Sequence, residues 1–411
     1  MFDPSAIDDP AELGLDAACL ARIPEFLETY LERKMLPGFS VLVARRGRVA
    51  WRTERGVLDW DTGIPLGADT IFRIYSMTKP VTSLALMMLY EQGLIRLEHD
   101  VSRYIPEFAQ LRVFDAGDAD KYSTRAPARK MRVHDLLTHT SGLSYSFMHQ
   151  HPVDALYRRE LGDTRARGET LEQFVSGLAR LPLLYSPGER WNYSVATDVC
   201  GRLVEIVSGQ SLDTFFRERI FAPLGMPDTG FTVAEEDIGR FASCYEKLPG
   251  NSRIRKQDDA ASSVYRGTCS FLSGGGGLVS TTDDYLRFCQ MLLNGGTLNG
   301  ARLLSPGTLR FMTLNHLPAN RTLAEMGDTL FSEARMDGSG FGLGFSVVID
   351  RVRALAPTSE GSFSWGGMAS TYFWIDPAEE LIGIFMTQLM PSGCYPIRPQ
   401  LQTLVYAALD D

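Results

Sequence analysis

The sequence predicts an α+β fold, in which an antiparallel sheet flanked by helices is built from both ends of the chain, with an all-helical domain between them. Two patterns predict it. Strand-like segments joined by hairpin turns occur near both termini, and the middle of the chain is mostly helix and loop. The 411 residues suffice for two domains. We predict an α/β domain from residues 1–75 and 290–411, a mainly helical domain from residues 76–289, and an active site in the cleft between them.

The N-terminal segment predicts one helix followed by a hairpin. Apolar residues recur at helical spacing over residues 15–33, and Asp16 is placed to cap that helix. Residues 39–44 form an apolar run that predicts a buried strand. A polar turn at residues 45–48 leads into a second strand that begins at residues 49–51.

Three helices stand out in the middle of the chain. The first covers residues 76–90, and the second covers residues 197–208 and ends at Gly209, a residue type that favours helix ends. The segment 280–283, Ser-Thr-Thr-Asp, matches a capping box ahead of an apolar run. It predicts that a third helix begins at Ser280.

The C-terminal part returns to strands. Residues 341–349, 370–375 and 381–387 are rich in strand-forming residues, and residues 376–379 make the turn between the last two strands. A final helix is predicted over residues 399–409. Together with the N-terminal hairpin, these strands make up the predicted antiparallel sheet.

Composition excludes several classes of partner. The formal net charge is −9, so a nucleic acid or an anionic membrane surface is not expected as a partner. No run of about 18 apolar residues predicts a membrane-spanning helix. The first twelve residues are acidic and lack a basic region followed by an apolar run, which argues against a secretory signal and predicts a cytoplasmic protein.

The cysteines and histidines do not predict a metal site. The six cysteines are scattered without a C-x-x-C pair, which favours reduced thiols. His134 and His139 are five residues apart, off the spacing that places two ligands on one helical face. We therefore expect neither a metal nor an organic cofactor.

The candidate chemistry lies at the start of the first middle helix. Serine needs a base within hydrogen-bond reach, and the chain contains no G-x-S-x-G elbow of the Ser-His-Asp type. Ser76 and Lys79 instead fit S-x-x-K, a spacing that places both on one face of a helix. The apolar helix that follows must be buried, so Lys79 would lose its proton more readily than a surface lysine.

The segment Phe72–Thr82, which contains Ser76 and Lys79, resembles the nucleophile segment of class C β-lactamases, DD-peptidases and esterases of that fold. Further segments typical of this serine β-lactamase-like, penicillin-binding superfamily follow in the same order over nearly the whole chain. They are Leu136–Leu143, Tyr185–Gly188, Ala222–Met226, Gly275–Leu278 and Gly342–Phe345.

The resemblance implies a third catalytic group, a tyrosine that shuttles the serine proton. Tyr193 occupies that position, and a phenol near a lysine ammonium is expected to have a lowered pKa. The family's asparagine two residues on is replaced by Val195. Esterases of this fold usually keep the tyrosine alone.

A second departure from the family's motifs points to the substrate. Trp365, Gly366 and Gly367 stand where the family has Lys-Thr-Gly or His-Thr-Gly, which resembles family VIII carboxylesterases. The family's lysine supplies charge for the carboxylate of a penicillin or peptide, whereas tryptophan offers an apolar face and one N–H donor. By position, the N–H groups of Ser76 and Met368 would form the oxyanion hole.

Supporting residues are predicted around the triad. Tyr145 follows the Thr-Ser-Gly-Leu segment and is expected to point at Ser76, and Asp198 is expected to hold Tyr145 or a lysine. The glycine run 274–277 lacks the Gly-Lys-Ser/Thr of a phosphate-binding loop, so we interpret it as close backbone packing beside the site.

The function that these features predict is hydrolysis of short-chain or other small carboxylic esters through an acyl-enzyme on Ser76. The alternatives are β-lactam or DD-peptide hydrolysis, acyl transfer to an alcohol, and, more remotely, an inactive penicillin-binding-type module. The expected partner is a small-molecule ester, and the oligomeric state stays open. Whether Lys79 or Tyr193 is the first base also stays open, since a coupled pair titrates jointly.

Overall fold

A seven-stranded antiparallel sheet forms the centre of the computed structural model, which describes residues 2–162, 168–250, 253–327, 333 and 335–411. Both ends of the chain contribute strands, as the sequence predicts, and the α+β fold class is confirmed. In spatial order the strands are Ser339–Phe341, Ser346–Val348, Phe363–Gly366, Tyr372–Asp376, Leu381–Met386, Gly38–Arg45 and Arg48–Gly56.

Helix Arg22–Glu32, near the start of the chain, and helix Ile397–Tyr406, near its end, pack together against the sheet. Their apolar side chains, Leu27 and Leu401 among them, share one buried cluster with residues of the central strands. Asp16 accepts a hydrogen bond from the N–H of Cys19 at 3.0 Å, so the predicted cap is confirmed. The predicted helix over 15–33 is nevertheless two helices, Ala17–Leu20 and Arg22–Glu32. Pro24 explains the break, because its ring lacks an N–H and clashes with the carbonyl four residues earlier.

A third helix, Thr282–Leu293, contacts the central strands Leu381–Met386 and Gly38–Arg45. Its cap is Thr281, whose side chain accepts a hydrogen bond from the N–H of Asp284 at 3.2 Å. The predicted start at Ser280 is therefore wrong by one residue, because Ser280 is taken up by a short strand that pairs with Phe72. The domain division at residues 75/76 and 289/290 stays a prediction.

The predicted strand over 341–349 is wrong as a single strand. The chain reverses within it, so that Ser339–Phe341 and Ser346–Val348 pair as a hairpin. Gly344 has a φ of +99°, a conformation that only glycine adopts without strain. The reversal places both strands at the edge of the central sheet.

The middle of the chain is largely helical, but it also contains strands that the sequence did not predict. Helix Ala196–Ser208 packs on helix Thr78–Glu91 and ends at Gly209 in a left-handed conformation, as predicted. Over the whole described chain, the other α-helices span Val133–Leu137, Pro152–Glu160, Leu171–Leu178, Leu212–Phe216, Ala222–Leu224, Pro306–Met312, Leu323–Met326 and Ile397–Tyr406. Short strands span Phe72–Arg73, Val113–Gly117, Tyr122–Arg125, Cys244–Lys247, Ile254–Asp258, Val279–Ser280, Thr297–Leu298, Ala301–Arg302 and Leu389–Met390.

Candidate active site

Ser76 lies on a single 3-10 turn, Tyr75–Met77, that leads directly into the buried helix Thr78–Glu91. The residue before it, Tyr75, has a φ of +42°, in a backbone region that residues other than glycine rarely adopt. Such backbone strain persists only where the surroundings hold it, and it is concentrated at functional sites. The turn therefore presents the Ser76 hydroxyl in a fixed direction.

A buried arginine anchors the strand that precedes this turn. Arg73 is fully buried and forms an ion pair with Asp258 at 2.7 Å. Its guanidinium also lies 3.9 Å from the centroid of the Phe241 ring. On the other side of Ser76, the hydroxyl of Tyr285 donates to the carbonyl oxygen of Met77 at 2.9 Å. The backbone on both sides of Ser76 is thus tied to the protein interior.

Lys79 is buried at the base of the site. Its Nζ donates to Ser76 Oγ at 3.1 Å and to the carbonyl oxygen of Gly275 at 2.6 Å. Burial lowers the pKa of Lys79 to about 7, although the negative charges of Asp198 and Glu333 raise it in part. Near neutral pH a large fraction of this amine is therefore unprotonated and can accept a proton.

Tyr193 completes the group around the serine. Its hydroxyl donates to Ser76 Oγ at 2.6 Å, and Lys79 Nζ lies 4.7 Å from the centroid of its ring. The expectation of a lowered pKa is wrong: burial raises the pKa of Tyr193 above its usual value. The phenol is therefore a proton donor at neutral pH, because desolvation of the phenolate and the negative charge of Glu333 outweigh the hydrogen bond with Ser76.

Asp198 supports the site through the backbone of the glycine run. It accepts hydrogen bonds from Ser273 Oγ at 2.5 Å and from the N–H of Gly275 at 3.0 Å, rather than contacting Tyr145 or a lysine as expected. Since the carbonyl of Gly275 in turn accepts from Lys79, the carboxylate positions the lysine indirectly. A Cβ atom at Gly275 would lie 2.5 Å from the Asp198 carboxylate, so this glycine provides close packing, as predicted.

Tyr145 lies beside the other two partners of the serine, and no contact between Tyr145 and Ser76 is found within the described ranges. Its ring packs edge-on against Tyr193, with centroids 5.2 Å apart, and its centroid is 5.4 Å from Lys79 Nζ. It also stacks on Phe147 at 4.6 Å. Burial raises the pKa of Tyr145 as well, so its hydroxyl stays neutral.

The segment Trp365–Met368 faces Ser76 from the central sheet. The Trp365 ring is fully buried and packs edge-on against Tyr193 with centroids 5.4 Å apart. A Cβ at Gly367 would overlap the carbonyl oxygen of Ile74, so only glycine allows the strand to approach the serine segment this closely. Met368 lines the cavity that contains Ser76, and its N–H donates to no acceptor that the structure describes.

A buried ion pair behind this segment was missed at the sequence level. Arg398 donates to the carbonyl oxygens of Gly367 and Thr371 at 2.9 and 2.8 Å, and pairs with the carboxylate of Glu333 at 2.7 Å. The Glu333 side chain is fully buried and also accepts from Ser392 Oγ at 2.8 Å. The two charged residues are far apart in sequence and belong to no motif, so no local signal points to them.

We expect Arg398→Met to lower the free energy of unfolding by about 3–5 kcal/mol, because the buried carboxylate of Glu333 loses its counter-charge. Urea denaturation measures this. Arg353→Met is the matched control, since Arg353 pairs with Glu325 at the surface with both side chains more than 40% exposed; it should cost about 1 kcal/mol or less. Equal costs for the two variants would contradict the expectation.

Two cavities adjoin in this region, and one of them contains Ser76. The cavity that contains Ser76 has a volume of about 320 Å³, and its described lining is mainly aromatic and aliphatic, without a lysine or arginine. A neighbouring cavity of about 1180 Å³ shares Phe147, Met368 and Met390 with it. The site therefore has a small apolar chamber and a large adjoining one.

The described helices include none long and apolar enough to cross a bilayer. In the same residues, histidine, cysteine and carboxylate side chains form no cluster suited to a metal ion.

Comparison with known proteins shows that the chain belongs to the Beta-lactamase family, whose model matches residues 23–407. It is 37% identical to Protein Rv1367c of Mycobacterium tuberculosis over 87% of each chain. It is 32% identical to Esterase EstB of Burkholderia gladioli, covering 97% of this chain and 98% of that one. The solved structure of EstCE1, a hydrolase with promiscuous acyltransferase activity, superposes with a TM-score of 0.77 at 27% identity, covering 94% of this chain and 98% of that chain.

Proposed function

We propose that the protein is a serine carboxylesterase that hydrolyses short-chain or other small esters through an acyl-enzyme on Ser76. One observation carries the proposal: Ser76 Oγ lies within hydrogen-bond distance of both a buried lysine and a buried tyrosine, at 3.1 and 2.6 Å. A nucleophile in contact with a base and a proton donor is the arrangement that acyl transfer requires. The similarity to EstB and EstCE1 supports the same reaction class.

Acylation begins with the neutral amine of Lys79 as the base. It takes the proton of Ser76 while Oγ attacks the ester carbonyl carbon. The N–H groups of Ser76 and Met368 are the proposed donors to the oxyanion that forms. The unused N–H of Met368 at the cavity wall supports this assignment.

Breakdown of this intermediate needs a proton for the departing alcohol. Tyr193 supplies it from its hydroxyl as the ester C–O bond breaks, and Lys79 returns a proton to the phenolate. In deacylation, water attacks the acyl carbon, and its proton passes through Lys79 and Tyr193 to Ser76 Oγ. The carboxylic acid leaves and the Ser76 hydroxyl is restored, so no cofactor takes part.

The lining of the small cavity favours a neutral acyl group over a β-lactam. The carboxylate of a penicillin needs a cation close to the reacting carbonyl. Among the described lining residues there is none, and the nearby guanidinium of Arg398 is already held by Glu333 and two carbonyl oxygens. Trp365, which stands where the resemblance expects a lysine or histidine, is fully buried against Tyr193 and supplies no positive charge.

Labelling tests this proposal directly. Incubation with a fluorophosphonate, followed by mass spectrometry, should find the adduct on Ser76. A chromogenic butanoate ester should be turned over faster than penicillin or cephalosporin by the same sample. An adduct elsewhere, or a β-lactam rate above the ester rate, would overturn the esterase assignment, and an absent adduct would favour an inactive module.

A second candidate activity is acyl transfer to an alcohol. The large cavity beside the serine leaves room for an acceptor other than water, and EstCE1 has promiscuous acyltransferase activity. It would appear as a new ester product when an alcohol is added to the reaction.

The pH dependence follows from the pKa of Lys79. Burial favours the neutral amine, and the neutral amine is the active form, so kcat/KM should rise with pH through about 7 and level off above it. Asp198 and Glu333 raise this pKa, so Asp198→Asn should move the rising limb to lower pH. Rate profiles from pH 5 to 9 measure both effects, and a limb that stays in place or moves upward in the variant would contradict them.

A further inference from the structure

The cavity that contains Ser76 and the larger cavity beside it differ in volume and in charge. The small cavity has a volume of about 320 Å³ and is lined by apolar side chains such as Leu161, Phe174 and Phe271. An acyl group stays attached to the serine while the alcohol departs and water enters. The small chamber that contains the serine therefore suits a small acyl group, and the large adjoining cavity suits the leaving alcohol.

Three cations line the large cavity. Arg33 and Lys34 are exposed at its edge, and Lys247 is half-buried, with its Nζ 4.3 Å from the centroid of the Tyr395 ring. None of the three forms an ion pair with a carboxylate in the parts of the chain that the structure describes.

The carboxylate in the same lining does not neutralise this cluster. Glu246 is paired with Arg255, at 3.0 and 2.8 Å from two guanidinium nitrogens, so its charge is already balanced by a residue outside the cavity. The cavity wall between the cations and Ser76 is apolar and includes Phe147, Met368 and Met390. An occupant that satisfies both regions is apolar near the ester and anionic at its far end.

We propose that the large cavity is a leaving-group subsite for alcohols that carry a carboxylate distant from the ester, so that the preferred substrates are small acyl esters of hydroxy acids. This inference rests on the proposed esterase function. The Ser76 Oγ–acyl bond forms as the ester C–O bond breaks, and the hydroxy acid leaves with the proton from Tyr193. Water then releases the small acid.

Matched pairs of esters test the proposal. The carboxylate probes are butanoate esters of ω-hydroxyalkanoic acids with six, nine and twelve carbons, and the neutral probes are the corresponding amides. At low salt we expect kcat/KM for the best carboxylate probe to exceed that of its amide by about tenfold, because three surface cations contribute together. The ratio should fall as salt is added, since these charges are screened.

A triple variant tests the three cations. Arg33→Gln, Lys34→Gln and Lys247→Gln combined should bring the ratio of carboxylate to amide close to one, through a lower rate for the carboxylate probe. The control triple changes the net charge equally at exposed residues that line neither cavity: Lys121→Gln, Arg219→Gln and Arg302→Gln. It should keep the preference of the wild type.

Three outcomes overturn the proposal. Equal rates for carboxylate and amide at every chain length would remove the subsite while leaving the esterase function standing, because the amide is still hydrolysed. A preference for mono-esters of dicarboxylic acids, which place the charge on the acyl side, would reverse the assignment of the cavities. Absence of turnover for every probe, together with no fluorophosphonate adduct on Ser76, would refute the proposed function and this inference with it.

Discussion

Replacing Ser76 with alanine is expected to lower kcat for ester hydrolysis on the order of 10⁴- to 10⁶-fold, because the attacking oxygen is lost. Lys79 then has no hydroxyl to deprotonate, and no acyl-enzyme forms. Steady-state turnover of a chromogenic butanoate, with mass spectrometry of the protein after mixing, measures the rate and the missing adduct together.

Ser83→Ala is the matched control for this change. Ser83 is a buried serine on the same helix, and it lies against Gly344 rather than in either cavity. It should keep turnover within a few fold of the wild type. If Ser76→Ala retained full activity, or if Ser83→Ala lost as much, Ser76 would not be the nucleophile.

Replacing Lys79 with methionine is expected to lower kcat/KM by about 10²–10⁴-fold, the range for loss of a general base. The rising limb of the pH profile near 7 should disappear with it, since that limb reports the amine. Methionine has a similar length, so it fills the buried space that the lysine side chain occupies. Tyr104→Phe, a hydroxyl deletion at a tyrosine paired with His99, should leave rate and profile unchanged.

The same lysine variant should not be less stable than the wild type. Burial lowers the pKa of Lys79 in the folded protein to about 7 from 10.5, so the unfolded chain binds this proton more tightly and the folded state is disfavoured below pH 10.5. Methionine removes that cost at neutral pH. Urea denaturation at pH 7 and 9 measures it, and the advantage of the variant should shrink at the higher pH. A clear loss of stability at pH 7 would show that burial of the amine does not oppose folding.

The sequence carries enough information to place Ser76 next to Lys79, because three residues along a helical turn bring two side chains together in any fold. Tyr193 is 117 residues from Ser76, and no local pattern relates the two. Its role, and that of Trp365, could be predicted only from the resemblance of the segments around them. The roles assigned to these residues remain proposals.

Other features depend on how tightly the folded chain surrounds each group. The predicted direction of the shift in the Tyr193 pKa was wrong, because the degree of burial cannot be read from the residue or from its neighbours in sequence. The pair of Arg398 and Glu333 was invisible for a similar reason: each residue alone is an ordinary charge. The break before Arg22 had a local cause in Pro24, and weighing that proline more heavily would have found it.

The order of strands in the central sheet has a consequence for biosynthesis. Strand Gly38–Arg45 has Leu381–Met386 as one of its two neighbours, a strand that is synthesised only after the whole helical middle of the chain. Pairings between strands this distant along the chain form slowly. Until this one forms, the edge of strand Gly38–Arg45 that pairs with Leu381–Met386 stays exposed. Trp365 also arrives late, so a partly synthesised chain holds Ser76 and Lys79 without the wall that faces them. Catalytic competence is thus acquired only once the strand that carries Trp365 has been made, and until the sheet is complete the exposed edge of the hairpin is open to aggregation.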